Sequence, residues 1–287
     1  MERMSGTTGT LFVFGMGYSA GVLATMLRGK GWRVEGTGRG GSVDFADADA
    51  VRAALARATH VLSSVPPARS GGDPVLEAYG ADLVAWRGGW TGYLSSTGVY
   101  GDAGGAWVDE TAPIGGGRRG ARAEADLAWQ ALRGDVRVFR LPGIYGPGRS
   151  VLDRLREGSA HRVDQPGQVF SRIHVDDIAG GVIAGMAGPA GVYNLADDEP
   201  ASQNAVVEEA ARLLGLAPPP FVAVETLSPM ARAFYAENRR VAAGKAQRVL
   251  GWRPRYPTYR EGLRALSAST RPSIAMAAPD AASADQR

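Results

Sequence analysis

The sequence contains no cysteine. Disulfides, thiolate metal sites and a cysteine nucleophile are therefore excluded. Histidine is nearly as scarce. The three, His60, His161 and His174, stand far apart and show no metal-ligand spacing, so no metal is expected. There is also no block of basic residues. The only doublets are Arg118-Arg119 and Arg239-Arg240, and the formal net charge is +3. So small a balance argues against nucleic acid and fits a small phosphate-bearing ligand. No apolar run is long enough to span a bilayer. The opening MERMSGTTGTLFVFGMG passes straight into a glycine turn without a signal-peptide cleavage pattern, so a cytoplasmic location with no membrane partner is expected.

What is present is an ordinary globular composition: 287 residues, 45% hydrophobic and 21% charged. No internal repeat is visible. Residues 10–14 (TLFVF) form a wholly apolar run ending at Gly15, the mark of a buried parallel strand. Residues 18–30 read as a helix, 32–36 as a strand, 47–58 as a helix and 59–65 as a strand stopped by Pro66-Pro67. Asp73 caps a helix that has Pro74 in its first turn. A strand at 91–95, a helix at 118–133 and a strand at 136–140 follow. This alternation predicts an α/β fold, a Rossmann-like doubly wound parallel sheet, with ligands at the strands' C-terminal ends. Residues 1–145 read as the nucleotide-binding half, its sheet completed by segments near 170–195. Residues 146–267 read as a smaller α+β substrate lobe and 268–287 as a disordered tail. Helices are expected at 150–157, 202–215, 228–237 and 242–250, with short strands near 170–175, 191–195 and 221–224.

Gly15-Met16-Gly17-Tyr18-Ser19-Ala20 follows the first strand and opens the first helix. Gly15 makes the tight turn, Gly17 lets a pyrophosphate approach the backbone, and Ala20 lets helix and strand pack closely. The pattern predicts a dinucleotide site. An NAD site usually has Asp or Glu at the end of the second strand, but here that strand ends Gly36-Thr37-Gly38-Arg39, with Glu35 inside it. Arg39 and the Thr37 hydroxyl suit a 2′-phosphate instead, so NADP(H) is favoured over NAD(H). The bland alternative makes Arg39 a solvated loop residue. Asp44 and Phe45 are assigned to flank the adenine.

Four later segments carry a family resemblance. Ser95-Ser96-Thr97-Gly98-Val99-Tyr100-Gly101, Arg140-Leu141-Pro142-Gly143-Ile144-Tyr145-Gly146-Pro147-Gly148, Ile173-His174-Val175-Asp176-Asp177 and Val192-Tyr193-Asn194-Leu195-Ala196 occur in this order. Together they resemble the extended short-chain dehydrogenases/reductases, the NAD(P)-dependent epimerase/dehydratase superfamily, over roughly residues 10–266. The resemblance implies that Ser96 hydrogen-bonds a substrate hydroxyl or carbonyl. It implies that Pro142, Gly143, Ile144 and Tyr145 lie along the nicotinamide, and that Ser63, Ser64, Val65 and Pro66 run past the cofactor ribose. It also implies that His174 and Asp176 fix the lobe junction; otherwise Asp176 or Asp177 is a helix cap.

The family's Tyr-x-x-x-Lys pair is missing. The window 113–124 holds neither residue, and glycines (Gly116, Gly120) occupy the two places if Glu124 is taken as the register mark. A positioned acid/base typically contributes about 10²–10⁴-fold, so its loss matters. Arg119 and Arg122 are candidates for the lost positioning charge. Glu124, Tyr100, Tyr145 and His174 are candidates for the proton, each with a structural alternative. The expected function is an NADP-dependent oxidoreductase or epimerase acting on a hydroxyl or carbonyl carbon of a small metabolite, with a sugar-like or a phosphorylated compound both open. The alternative is a cofactor-binding sensor or regulatory protein; a scaffold for assembly is a third reading. Arg149, Arg172, Arg239 and Arg240 are candidates to meet an anionic substrate. A monomer or homodimer is expected, with Leu83, Trp86, Leu127 and Trp129 serving either pairing or core.

Overall fold

The structure, a computed structural model, describes residues 8–68, 70–115 and 120–269. The first strand, β1 (Thr10–Phe14), is buried on both faces. Leu11 and Val13 enter one core and Phe12 and Phe14 the other, as a period of two requires. Helix α1 (Tyr18–Arg28) returns over the first face, burying Ala20, Leu23, Ala24 and Leu27. Strand β2 (Arg33–Gly36) pairs with β1 on one side. Helix α2 (Ala48–Arg57) is capped by the Asp47 side chain, which accepts from the Ala50 N–H. Strand β3 (His60–Ser63) pairs with β1 on the other side. Asp73 caps α3 (Pro74–Ala85) by accepting from the Val75 and Leu76 N–H groups.

Strand β4 (Trp90–Ser96) ends in a 3₁₀ turn at Thr97–Tyr100. After β5 (Trp107–Val108), helix α4 (Gly120–Leu132) leads into β6 (Val136–Leu141). The chain then runs through β7 (Gly143–Tyr145), α5 (Val151–Arg156), β8 (Arg162–Val163) and β9 (Arg172–His174). Helix α6 (Val175–Ala187) and strand β10 (Gly191–Asn194) return it to the main sheet. Helix α7 (Gln203–Leu214), β11 (Phe221–Val222), α8 (Pro229–Tyr235), β12 (Arg240–Val241), α9 (Gly244–Val249) and α10 (Tyr259–Ser269) complete it.

The main sheet has six parallel strands in the order β2-β1-β3-β4-β6-β10. Strand order reverses at β1, so a crevice opens between the ends of β1 and β3. Helices α1 and α6 cover one face; α2, α3 and α4 cover the other. A third core, built from α5, α7 and α10, includes Tyr145, Leu152, Val207 and Leu263.

Several expectations need correction. Segment 191–194 does complete the sheet, but β9 pairs with β7 in a separate two-stranded sheet. The cap of α6 is His174, whose Nδ1 accepts from the Asp176 N–H; Asp177 instead accepts from the Arg255 and Tyr256 N–H groups. Ala268 and Ser269 belong to α10, while the rest of the expected tail lies outside the described residues. So do Gly116 and Arg119. Leu83, Trp86 and Trp129 are core, whereas Leu127 is exposed. Among the described residues no helix is long and apolar enough to cross a membrane, and no acidic, histidine or cysteine cluster could hold a metal.

Candidate active site

The loop after β1 is held from both neighbouring strands. The Gly15 N–H donates to Thr37 Oγ1 (3.1 Å) and the Met16 N–H to the Thr37 carbonyl (2.6 Å). From the other side, Ser64 Oγ donates to the Gly15 carbonyl (2.5 Å). Gly15 has φ +84°, and a Cβ there would meet Val65 Cγ2 at 2.8 Å. Both facts demand glycine. Gly17 is different. It starts α1 with no side-chain cap, and a Cβ on it would point into open space, its nearest neighbour the Gly15 carbonyl at 3.9 Å. The first N–H groups of α1 are thus left to whatever enters beside them.

What opens there is a cavity of about 480 Å³. Gly17, Tyr18 and Ser19 line one end, with Ser64 and Pro66 beside them. Ser96, Thr97, Gly98 and Arg122 line the β4 side, and Pro142, Gly143 and Ile144 the β6 side. The fourth wall comes from the C-terminal third: Arg149, Phe170, Ser171, Phe234, Glu237 and Arg239. The Tyr18 hydroxyl donates to the Pro147 carbonyl (3.0 Å), and the Arg149 guanidinium lies 5.7 Å from the Tyr18 ring centre. Burial pushes the Tyr18 phenol above its ordinary value, against the opposing pull of Arg149.

Ser96 Oγ accepts from the Gly98 N–H (3.1 Å), which commits a lone pair and leaves its O–H to donate. Behind it lies a buried polar chain. Asp126 accepts from Ser95 Oγ (2.5 Å), Gln130 Nε2 (2.6 Å) and two nitrogens of Arg140 (3.0 and 2.8 Å). Arg140 also donates to the Tyr100 hydroxyl (3.0 Å), which donates to Asn194 Oδ1 (2.7 Å). Burial acts to lower the Arg140 pKa, but the bonds to Asp126 outweigh it and raise the value. This network fixes the end of β4 against α4 and β6.

Both tyrosines proposed as proton donors are thereby reassigned. Tyr100 is buried and spent on Arg140 and Asn194, and does not line the cavity. Tyr145 turns into the third core against Gly262; its hydroxyl has no hydrogen-bond partner, and burial, with Asp197 nearby, drives its pKa far up. Tyr100 lies in the 3₁₀ turn after β4 and Tyr145 on β7, and each turns away from the cavity into buried packing. Glu124 points to solvent on α4, and His174 is a buried cap. Among the described residues of the proposed catalytic group, Ser96 and Arg122 alone line the cavity.

The cofactor assignments divide similarly. Gly15, Met16 and Ala20 form the floor of the loop, Met16 and Ala20 both buried, and Ser63 is buried within β3. Val65 packs against the core beside Gly15. Thr37 is buried, and its hydroxyl serves Gly15 rather than facing out. Arg39 is exposed on the loop after β2, outside the cavity wall. Glu35 is tied to Arg33 (2.6 Å) and Arg57 (2.9 Å), and the Arg57 hydrogen bond holds its carboxyl below the usual range. Asp44 Oδ1 accepts from the Ala46 N–H, and Phe45 packs on Phe14 and Tyr79 instead of standing free. Of the four candidate arginines, Arg149 and Arg239 reach the cavity. Arg172 is buried on the Phe170 and Ala201 carbonyls, and Arg240 is spent on the Gly105 carbonyl. Sequence reasoning missed Phe170, Ser171, Phe234 and Glu237, which no local pattern ties to the cavity.

No protein-family model matches the chain. Protein YeeZ of Escherichia coli K12 is 30% identical over 238 residues, covering 73% of this chain and 85% of that protein. A Streptomyces 3-diazoavenalumate denitrifying reductase is 31% identical over 176 residues; the match spans 54% of this chain and only 58% of the reductase. A functionally unknown conserved protein from Silicibacter pomeroyi superposes with a TM-score of 0.82 at 46% identity, over 91% of this chain and 99% of that one. The human epimerase family protein SDR39U1, solved with NADPH, shares the fold with a TM-score of 0.74 at 17% identity, over 90% and 99% of the two chains. The chain is thus a relative of Protein YeeZ and of the Silicibacter pomeroyi protein, and with its six-stranded parallel sheet and its glycine loop it has the fold of the NAD(P)-dependent epimerase/dehydratase proteins.

Proposed function

We propose that the chain binds a nicotinamide dinucleotide in the 480 Å³ cavity, NADP(H) in preference to NAD(H), and serves as an oxidoreductase or epimerase on a hydroxyl or carbonyl carbon of a small metabolite. The observation that carries this reading is the uncapped start of α1, behind a glycine whose missing side chain leaves room, on the same cavity as Ser96 and Pro142–Ile144. A diphosphate fits that cradle: backbone N–H groups and a helix N-terminus meet it without a side chain in the way. Gly15, Met16, Gly17, Tyr18, Ser19 and Ala20 would form the diphosphate loop. Ser64, Pro66, Pro142, Gly143 and Ile144 would flank the ribose and nicotinamide. When bound, the nicotinamide gives or takes hydride. Ser96 would donate to the substrate oxygen, and Arg122 would supply fixed positive charge beside it. Residues 1–145 would serve as the nucleotide half and 146–267 as the substrate half.

The NADP preference rests on charge. Glu35, within β2, is neutralised by Arg33 of the same strand and Arg57 of α2, and no carboxylate stands at that strand's end, where Arg39 is exposed. A 2′-phosphate there meets a guanidinium instead of an acid. The human epimerase family protein was solved with NADPH, and the Streptomyces relative is named as a reductase, which is in keeping with this reading. A second reading, a cofactor-binding sensor with reduced catalysis, is favoured by one observation: Tyr100 and Tyr145 are both held in structural roles.

Calorimetry with NADPH and NADH tests the proposal directly. NADPH should bind at least about 10-fold more tightly, and Arg39→Glu should abolish the difference. Absence of binding by either coenzyme overturns both readings. Equal affinities that Arg39→Glu leaves unchanged overturn the preference.

A further inference from the structure

Resting on the cofactor reading above, we infer that the substrate is a planar aromatic or conjugated compound rather than a polyhydroxylated sugar, and that its ring stacks on Phe234. Beside Gly143 and Ile144 the wall of the cavity is aromatic. Phe170 and Phe234 stack with centroids 4.4 Å apart and planes 12° apart, and Tyr235 meets Phe170 edge-on at 5.5 Å. Phe170 is almost fully buried, whereas Phe234 is 44% exposed although it belongs to this packed group. The platform also borders a second recess of about 210 Å³ whose far side is Val151, Val206 and Leu263. An exposed phenyl backed by a stacked partner is a surface that one further ring would complete.

The polar groups nearest this platform are partly committed. Ser171 Oγ accepts from the Val241 N–H (2.8 Å). Glu237 accepts from Arg239 (2.9 Å), and Arg239 donates as well to the Gly101 carbonyl. A sugar ring buried here would need a partner for each hydroxyl, and each one left unmatched costs about 1–3 kcal/mol. A flat ring asks for no such partners and gains the stacking contact.

The test uses the full chain, with and without saturating NADP⁺, and two probes: 4-hydroxycinnamate and glucose 1-phosphate. Calorimetry should give the aromatic acid a Kd below about 1 mM, at least about 10-fold tighter than the sugar phosphate. Phe234→Ala should weaken the aromatic acid at least about 10-fold, while Phe234→Tyr keeps it and NADP⁺ affinity stays unchanged in both. Circular dichroism checks that the variants fold. Three results overturn the inference: no binding of 4-hydroxycinnamate at about 5 mM, sugar phosphate binding as well, or Phe234→Ala changing nothing. Loss of NADP⁺ binding by the unaltered chain is a separate failure, of the cofactor reading. The cofactor-free titration still reports on the ring.

Discussion

Replacing Asp126 with asparagine removes one charge from a pair that water does not reach: Asp126 is 0% and Arg140 3% exposed. The geometry leaves the new amide no good orientation. Oδ1 faces Arg140 Nη2 and Gln130 Nε2; Oδ2 faces Arg140 Nε and Ser95 Oγ. Whichever way the amide turns, its NH₂ opposes an arginine N–H. Breaking one side of a buried ion pair costs about 3–5 kcal/mol, out of a total of about 5–15 kcal/mol for an ordinary domain. Urea unfolding followed by tryptophan fluorescence should therefore show the midpoint falling by more than about 1 M with an unchanged slope. A paired change, Asp126→Leu with Arg140→Met, should recover part of the loss, because a matched apolar pair carries no stranded charge. A loss below about 1 kcal/mol for Asp126→Asn would refute the claim that this network pins the end of β4.

Three further outcomes follow from the same geometry. Gly17→Val fills the open side of the cradle, so NADP(H) affinity should fall by about 100-fold or more while the melting temperature moves little; calorimetry and thermal scans check the pair of results. Tyr145→Phe removes a buried hydroxyl that has no partner, so stability should hold or rise by about 1 kcal/mol and cofactor binding should be unaffected; a loss of cofactor binding would restore Tyr145 to the site. Burial, opposed by Arg172, pushes the Asp197 carboxyl up to about 8. Its folded value is above its unfolded one, so the stability it contributes is full below about pH 4 and lost as pH rises to about 8. Asp197→Asn should flatten that decline and be the more stable chain at pH 8.5, by on the order of 3–5 kcal/mol, in urea unfolding at each pH.

Most of the sheet was legible because its signals are local. TLFVF between polar residues, a glycine at its end, and Asp73-Pro74 at a helix start each need only a few neighbours to be read. Of the two-residue strands only β11 was expected, near 221–224; β5, β8 and β12 had no period to detect, and these strands pair across 50 to more than 100 positions. The catalytic candidates failed for a different reason. Tyr100 lies in the 3₁₀ turn beyond β4, where its hydroxyl meets Asn194, 94 residues on, and Tyr145 faces the third core from β7; neither long-range contact is marked locally in the sequence. Thr37 was misjudged because its hydroxyl serves the backbone of Gly15, 22 residues away. The aromatic wall escaped because Phe170 and Phe234 meet only after the chain folds back through α7.

Asn194 closes the polar chain that begins at Ser95, yet it arrives only after the excursion through α5, β9 and α6. A fragment halted after Leu141 would keep the glycine loop but lack the partner of the Tyr100 phenol and bare the main-chain groups along β6. The N-terminal half is therefore not a detachable cassette. Any engineered chimera that grafts it onto another C-terminal region must carry Gly191–Asn194 along, or supply an equivalent edge, before it can be produced as a stable, monodisperse protein.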